Sequence, residues 1–215
     1  QATARALRRH MQASDRFPED VLELIGYLDQ PEPAARVRAV PGEGTQVPVW
    51  ILGSSLYGAQ LAAYLGLPYA FASHFAPDHL EEAAESYRAT FRPSQWLARP
   101  HFMMAVGVCA AETDEEAVFL RSSQILAFAR LRLGNPGKLP RPVQDLSEVP
   151  PQMLHEVGHV LGCSAVGSPA TVRDRLAALI ARFRPDEVMV TGMIHDHAKR
   201  LESHRIAAEV LKTLT

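Results

Sequence analysis

Cysteine is scarce in this chain of 215 residues: Cys109 and Cys163 are the only two. They form no metal or redox spacing, and both lie in apolar stretches, which points to buried thiols in a reducing compartment. Long apolar runs are missing too. None reaches the about 20 residues needed to span a bilayer, and no signal-peptide pattern opens the chain, so a cytoplasmic protein is the expectation. Neither sign of charge is in excess. A formal net charge of −2 removes the electrostatic case for nucleic acid or an anionic membrane as a partner. Aromatics make up only 7%, yet 47% of residues are hydrophobic and 21% charged, the balance of a globular protein with one sizeable core.

What is present is organised around residues 47–75, VPVWILGSSLYGAQLAAYLGLPYAFASHF. Val47 to Leu52 is apolar and rich in β-branched and aromatic residues, as expected of a strand buried on both faces. Gly53, Ser54 and Ser55 break it. Leu56 to Leu65 has a helical pattern, Gly66 stands where a helix C-cap wants positive φ, and Leu67 to Phe71 starts a second strand. Two strands joined by a helix of this length are most simply parallel, which puts residues 53–55 at a strand's C-terminal end and a helix's N-terminus. The free N–H groups there and the helix dipole suit a phosphate. Two readings follow. Either Ser54 or Ser55 merely caps the helix, or their hydroxyls join an anion site that Gly53 lets approach closely.

In chain order, Ala2 to Met11 reads as the end of a basic amphipathic helix, and Phe17 to Leu28 as a second helix with Pro18 in its first turn. Asp29 to Gln46 is a Pro/Gly-rich connection with a short strand considered at Ala35 to Val40. A helix follows at residues 79–91. Phe102 to Ala111 is a third buried strand, and residues 112–134 a long helix with an acidic start. Asn135 to Pro151 is an excursion rich in proline, of the kind that forms lids or binding loops. Pro151 to Leu161 is a short helix, Ser168 to Phe183 a helix with Ser168 as N-cap, Glu187 to Met193 the fourth strand, and His195 to Leu214 the closing helix. Four strands alternate with helices and no hairpin signal separates them. The expected class is α/β with a parallel sheet, either doubly wound or a barrel. A (β/α)8 barrel needs eight strands in about 250 residues, so four strands look like its C-terminal half.

The run WILGSS followed by GAQLAA and YAFASHFAP, with SAVGSPATVRDRL and the closing DEVMVTGMIHDHAKRLESHRIAAEVL, resembles the bacterial-luciferase-like flavin monooxygenases. The resemblance covers essentially the whole chain, residues 1–215, as one domain. It implies a TIM-type (β/α)8 barrel that binds reduced FMN, or in one branch the deazaflavin F420, at the C-terminal ends of its strands. It also implies an enzyme that uses O2 to oxygenate a small organic substrate, a flavin reductase as supplier, and a homodimer. A flavin-binding paralogue without catalysis is the alternative. Placed on this sequence, the resemblance puts the flavin phosphate near Gly53, Ser54 and Ser55, with Tyr57 and Gly58 in the following turn. Other members carry a threonine where Gly58 stands, so one hydroxyl contact is lost. Ser73, His74, Met193 and His195 would face the barrel mouth. The first three or four strands, with the family's catalytic histidine and a phosphate-binding arginine, are implied to be absent, so the catalytic residues have no assignment.

One motif points elsewhere. His155, Glu156 and His159 make HEVGH, the H-E-x-x-H pattern in which two histidines one helical turn apart bind zinc. Gly162 extends it, but Ala165 occupies the third ligand position. Asp174 and Asp186 read as a solvated helix residue and a strand-flanking residue, so no metal site is expected, and a zinc metalloprotease through HEVGH is the remote alternative. Asp196 suits a helix N-cap beside His195 and His197, and the methionines read as core filler with Met193 the exception.

Overall fold

The computed structural model describes residues 16–30 and 37–214, and the chain divides into two compact units, residues 1–50 and 51–215. The helix expected at Ala2–Met11 lies outside the described residues, as does part of the strand considered at Ala35–Val40, whose described residues 37–40 form no strand. In the first unit, α1 spans Phe17–Leu28 as its pattern predicts, with Pro18 in the first turn and Val21 buried. The chain then folds back, Gly44 N–H donating to Asp29 O and Gln46 N–H to Leu28 O.

The second unit holds β1 (Ile51–Gly53), α2 (Leu56–Leu65), β2 (Tyr69–Phe71), α3 (Leu80–Thr90), β3 (Phe102–Ala110) and α4 (Asp114–Arg132). After the excursion come α5 (Pro151–Val160), β4 (Ser164–Gly167), α6 (Pro169–Phe183), β5 (Glu187–Thr191) and α7 (His197–Leu211). Every strand pairing is parallel. Four elements are shorter than expected. β1 starts at Ile51 rather than Val47, β2 at Tyr69, directly after Pro68, which lacks the N–H a ladder requires, and β5 ends at Thr191, before Gly192 and Met193. The closing helix starts only at His197, because Asp196 caps it by accepting the Lys199 N–H.

The sheet has five strands, where the sequence pattern counts four. The missed strand, β4, is short and sits in a Gly/Ser-rich run, SAVGS, that carries no period. Its position follows from hydrogen-bond parity, since odd and even residues of a parallel strand bond to opposite neighbours. Tyr69 N–H donates to His101 O, Gly107 N–H to Cys163 O and Ala111 N–H accompanies them by donating to Gly167 O, all at odd positions of the β3 segment. Asp186 N–H donates to Phe102 O, an even position. So β2 and β4 lie end to end along one edge of β3, and β5 takes the other. Between the two, the wholly buried Ser73 hydroxyl donates to Ala105 O at 2.6 Å and occupies the gap in the ladder.

The core beneath β1 and β2 is aromatic. Tyr69, fully buried, lies 5.4 Å from Tyr87, 6.0 Å from Phe102 and 6.3 Å from Phe71 between ring centroids, distances at which such pairs add to simple burial. Tyr87 donates its hydroxyl to Leu67 O at 2.9 Å and accepts the His101 N–H. Arg88 stacks on Phe102 and donates to the carbonyls of Phe183 and Arg184, so α3 supplies the cap for the C-terminus of α6.

Gly66 ends α2 in the left-handed region, at φ 64, and a Cβ there would meet Arg92 O and Ser94 Cβ at 2.5 Å each. Both the backbone conformation and the space exclude a side chain. Gly66→Ala is expected to cost about 1–3 kcal/mol of stability in the full-length protein, measured by urea unfolding; an unchanged midpoint would refute this account of the turn.

Candidate functional site

Because all strands are parallel, their C-terminal ends lie at one end of the sheet. There the chain turns through Gly53–Ser55 after β1, Ala72–His74 after β2 and Gly192–His195 after β5. The first two turns are adjacent, tied by the Ala72 N–H donating to Gly53 O at 2.9 Å. The third lies beyond β3.

At the first turn, Ser55 is the N-cap of α2, with extended backbone, φ −142 and ψ 165. Its side chain accepts no cap hydrogen bond. Thr113, Ser168 and Asp196, the N-caps of α4, α6 and α7, all do accept one. The capping reading therefore does not describe Ser55: its hydroxyl is left uncommitted at a helix N-terminus whose first turn carries no acidic residue. Such an end presents unpaired N–H groups and the positive pole of the helix dipole. Tyr57 is exposed, whereas Gly58 is buried and the direction of its missing side chain leads to the Tyr69 ring, 3.5 Å away, and to Ile51. A larger residue at 58 would thus face the sheet.

At the second turn the two candidates separate. Ser73 has its hydroxyl engaged with Ala105 O and no exposed surface. His74 is half-buried, packs edge-on against Phe75 with centroids 4.7 Å apart, and has a buried Nδ1 without a hydrogen-bond partner among the described residues. Burial pushes the His74 pKa below its ordinary value, since charging a partly desolvated imidazole is costly. A neutral ring with an orphaned buried nitrogen is a group that awaits a partner. At the third turn Met193 and His195 are exposed, with Ile194 between them buried.

The HEVGH segment falls on α5 as the spacing demands. Its groups are directed elsewhere: His159 Nε2 pairs with Asp78, Glu156 with Arg132 at 3.9 Å, and Ala165 is buried in β4. Among the described residues no group of three His, Cys, Asp or Glu is arranged to hold a metal ion.

One polar cluster escapes the sequence reading. Four successive residues of α4, Arg121, Ser122, Ser123 and Gln124, are all buried. Arg121 donates to Gln124 Oε1, to Leu161 O at 3.3 Å and to Ser164 Oγ at 3.2 Å, so it fastens the C-terminal end of α5 and the start of β4 to α4. Burial lowers its pKa. The available signal was RSSQ interrupting the apolar stripe of an otherwise regular helix.

The model of the family described as luciferase-like monooxygenase matches residues 7–186. A protein of Escherichia coli K12 named luciferase-like monooxygenase is 46% identical over 216 residues, an alignment that covers 100% of this chain and 64% of that protein. The crystal structure of apo-MsnO8 is similar with a TM-score of 0.82 and 35% identity, covering 94% of this chain and 62% of that one. Two more distant structures share the fold. The oxygenating constituent of 3,6-diketocamphane monooxygenase from Pseudomonas putida, solved with FMN, has a TM-score of 0.52 at 18% identity over 86% of this chain and 55% of its own. The coenzyme F420 dependent tetrahydromethanopterin reductase of Methanopyrus kandleri has 0.55 at 12% over 96% and 65%. This chain therefore spans less than two thirds of the E. coli relative and of MsnO8. Its parallel sheet is part of a TIM-type barrel, and the chain belongs to the luciferase-like monooxygenase family.

Proposed function

We propose that this chain is the part of a flavin-dependent monooxygenase that grips the cofactor's phosphate, and that the whole protein uses reduced FMN and O2 to oxygenate a small organic substrate. The observation that carries the reading is the uncommitted Ser55 hydroxyl at the N-terminus of α2, one strand away from the orphaned Nδ1 of His74. The chemistry of this donor set fits a phosphate monoester: backbone N–H groups, two serine hydroxyls and the positive end of a dipole, with no carboxylate in the first helical turn to repel it. FMN, when bound, supplies the redox chemistry.

The chain's own residues bind, orient and exclude water. Gly53, Ser54 and Ser55 hold the phosphate, with Tyr57 along the exposed side of the same turn. His74, kept neutral by burial, offers its Nδ1 to a polar edge of the ring system or substrate. Met193, exposed beyond β3 beside His195, gives an apolar contact there, and a dry wall is what protects a reactive flavin from side reactions. Cofactor F420 carries a phosphate too and is the second reading, favoured by the fold shared with an F420-dependent reductase. A flavin reductase is the class of partner that would supply reduced cofactor.

Three outcomes follow for the full-length protein. With NADH, FMN and a flavin reductase it is expected to consume oxygen in step with formation of an oxygenated product; uptake that yields only hydrogen peroxide for every substrate tried would count against oxygenation. Ser55→Ala removes one hydroxyl donor and is expected to weaken FMN binding about 3- to 10-fold in a fluorescence titration, the size of one ordinary hydrogen bond; full affinity would remove Ser55 from the site. For His74 the sign runs one way. Its folded pKa lies below the ordinary 6.5, so the unfolded chain binds the proton more readily, and the stability it contributes is complete above about pH 6.5 and is lost as pH falls below that value. NMR titration of the His74 ring should give a midpoint under 6.5; a midpoint at or above 6.5 contradicts the burial argument.

A further inference from the structure

The turn that carries Gly53–Ser55 is built on one buried side chain. Tyr69, the first residue of β2, is wholly buried, and its hydroxyl donates to Ser55 O at 3.2 Å. Its ring edge lies 3.5 Å from where a Cβ on Gly58 would stand, and its oxygen 3.9 Å from the same point on Gly53. Gly53 and Gly58 are themselves 3.7 Å apart by that measure. One phenol thus touches the start of the turn, its N-cap peptide and the first turn of α2.

We propose that Tyr69 is a positioning residue of the anion site, and that its hydroxyl, through Ser55 O, aims the Leu56 N–H at the phosphate. This rests on the reading of the turn as a phosphate grip. In a planar trans peptide the C=O and the following N–H point in opposite directions. Pulling the Ser55 carbonyl down onto a buried donor therefore directs the Leu56 N–H outward, past the start of the helix. An N-cap carbonyl ordinarily takes only the first helical N–H, and Ser55 makes no side-chain cap bond to steady its own peptide. The Tyr69 hydroxyl supplies that steadying from below. The ring cannot swing away, because Tyr87, Phe102 and Phe71 hold it on its other sides. A preorganised donor binds an anion more tightly because its orientation is not lost on binding.

The test compares FMN with riboflavin, which has the same ring and no phosphate, on the full-length protein. The wild-type protein is expected to prefer FMN, and Tyr69→Phe, which keeps the ring and removes only the hydroxyl, is expected to lose about fivefold of FMN affinity with riboflavin affinity unchanged. Tyr87→Phe is the control: it removes a hydroxyl from the same aromatic cluster, one that bonds Leu67 O rather than the turn, and it should lower stability while leaving the FMN-to-riboflavin ratio intact. A wild-type protein without preference for FMN overturns both the phosphate grip and the role of Tyr69. A wild-type preference retained in full by Tyr69→Phe overturns the role of Tyr69 alone, as does an equal loss of affinity for both flavins or an equal fall of the ratio in Tyr87→Phe.

Discussion

Every pairing in the sheet is parallel, and the rest of the molecule depends on that constraint. A parallel pair cannot be closed by a tight turn, so the chain must cross over from one strand's end to the next strand's start, and a helix does so with least exposed backbone. All strand C-termini then fall at one end, and helices begin there. The positive poles of α2 and α7 and the turns that bear residues 53–55, 73–74 and 193–195 share that end for this reason. The site is a consequence of topology before it is a consequence of side chains.

Which of those helix ends is open is decided by side chains. At α4, α6 and α7 a Thr, Ser or Asp accepts an N–H of the first turn, and at α6 Asp114 closes the end further by accepting from Ser168 N–H and the Thr171 hydroxyl. The end of α2 has the same type of residue at the cap, Ser55, with its side chain turned to no such use. Ser168 is followed by Pro169, which presets the helix start, and Ser55 by Leu56, but neither neighbour dictates where the serine hydroxyl goes. The difference lies in tertiary packing, in the phenol that meets the Ser55 carbonyl from fourteen residues along the chain.

Legibility follows the same division. Elements with a complete local signal were readable: α1 from Phe17 to Leu28, β3 within one residue at its end, and the left-handed cap at Gly66. What was not readable depends on distant partners. The strand β4 has four residues and no period, and it exists because the edge of β3 beyond Phe71 offers unpaired groups at Gly107 and Ala111. Ser73 looked like a residue of the site mouth, but its hydroxyl is drawn to the carbonyl of Ala105 exposed in that same gap. HEVGH has the helical spacing of a zinc motif, yet a ligand set also needs a third group aimed inward; here His159 turns to Asp78 on another loop. Spacing along a helix is a local property, and convergence on an ion is not.

The uncovered part of the sheet connects the fold to the proposed chemistry. Register places Leu52 opposite Ala70, Ala70 opposite Met103 and Met103 opposite Glu187, with Ala105 opposite Met189 two residues on, so these side chains share a face. Leu52 and Met189 are 69% and 49% exposed, and the outer edges of β1 and β5 have no strand beside them among the described residues. Apolar side chains in mid-strand are left in water only at some cost, about 25 cal/mol for each Å² that could have been buried, and open parallel edges are rare because both faces of such sheets are normally covered. In a barrel this face looks inward. The small residues Ala70 and Ala105 at its centre leave room next to the Gly53–Ser55 turn, while Leu52 and Met189 flank it with apolar bulk. An apolar wall with the anion grip proposed at its rim is the environment that a phosphate-anchored flavin requires: one end held by charge in reach of solvent, the ring kept where water is scarce.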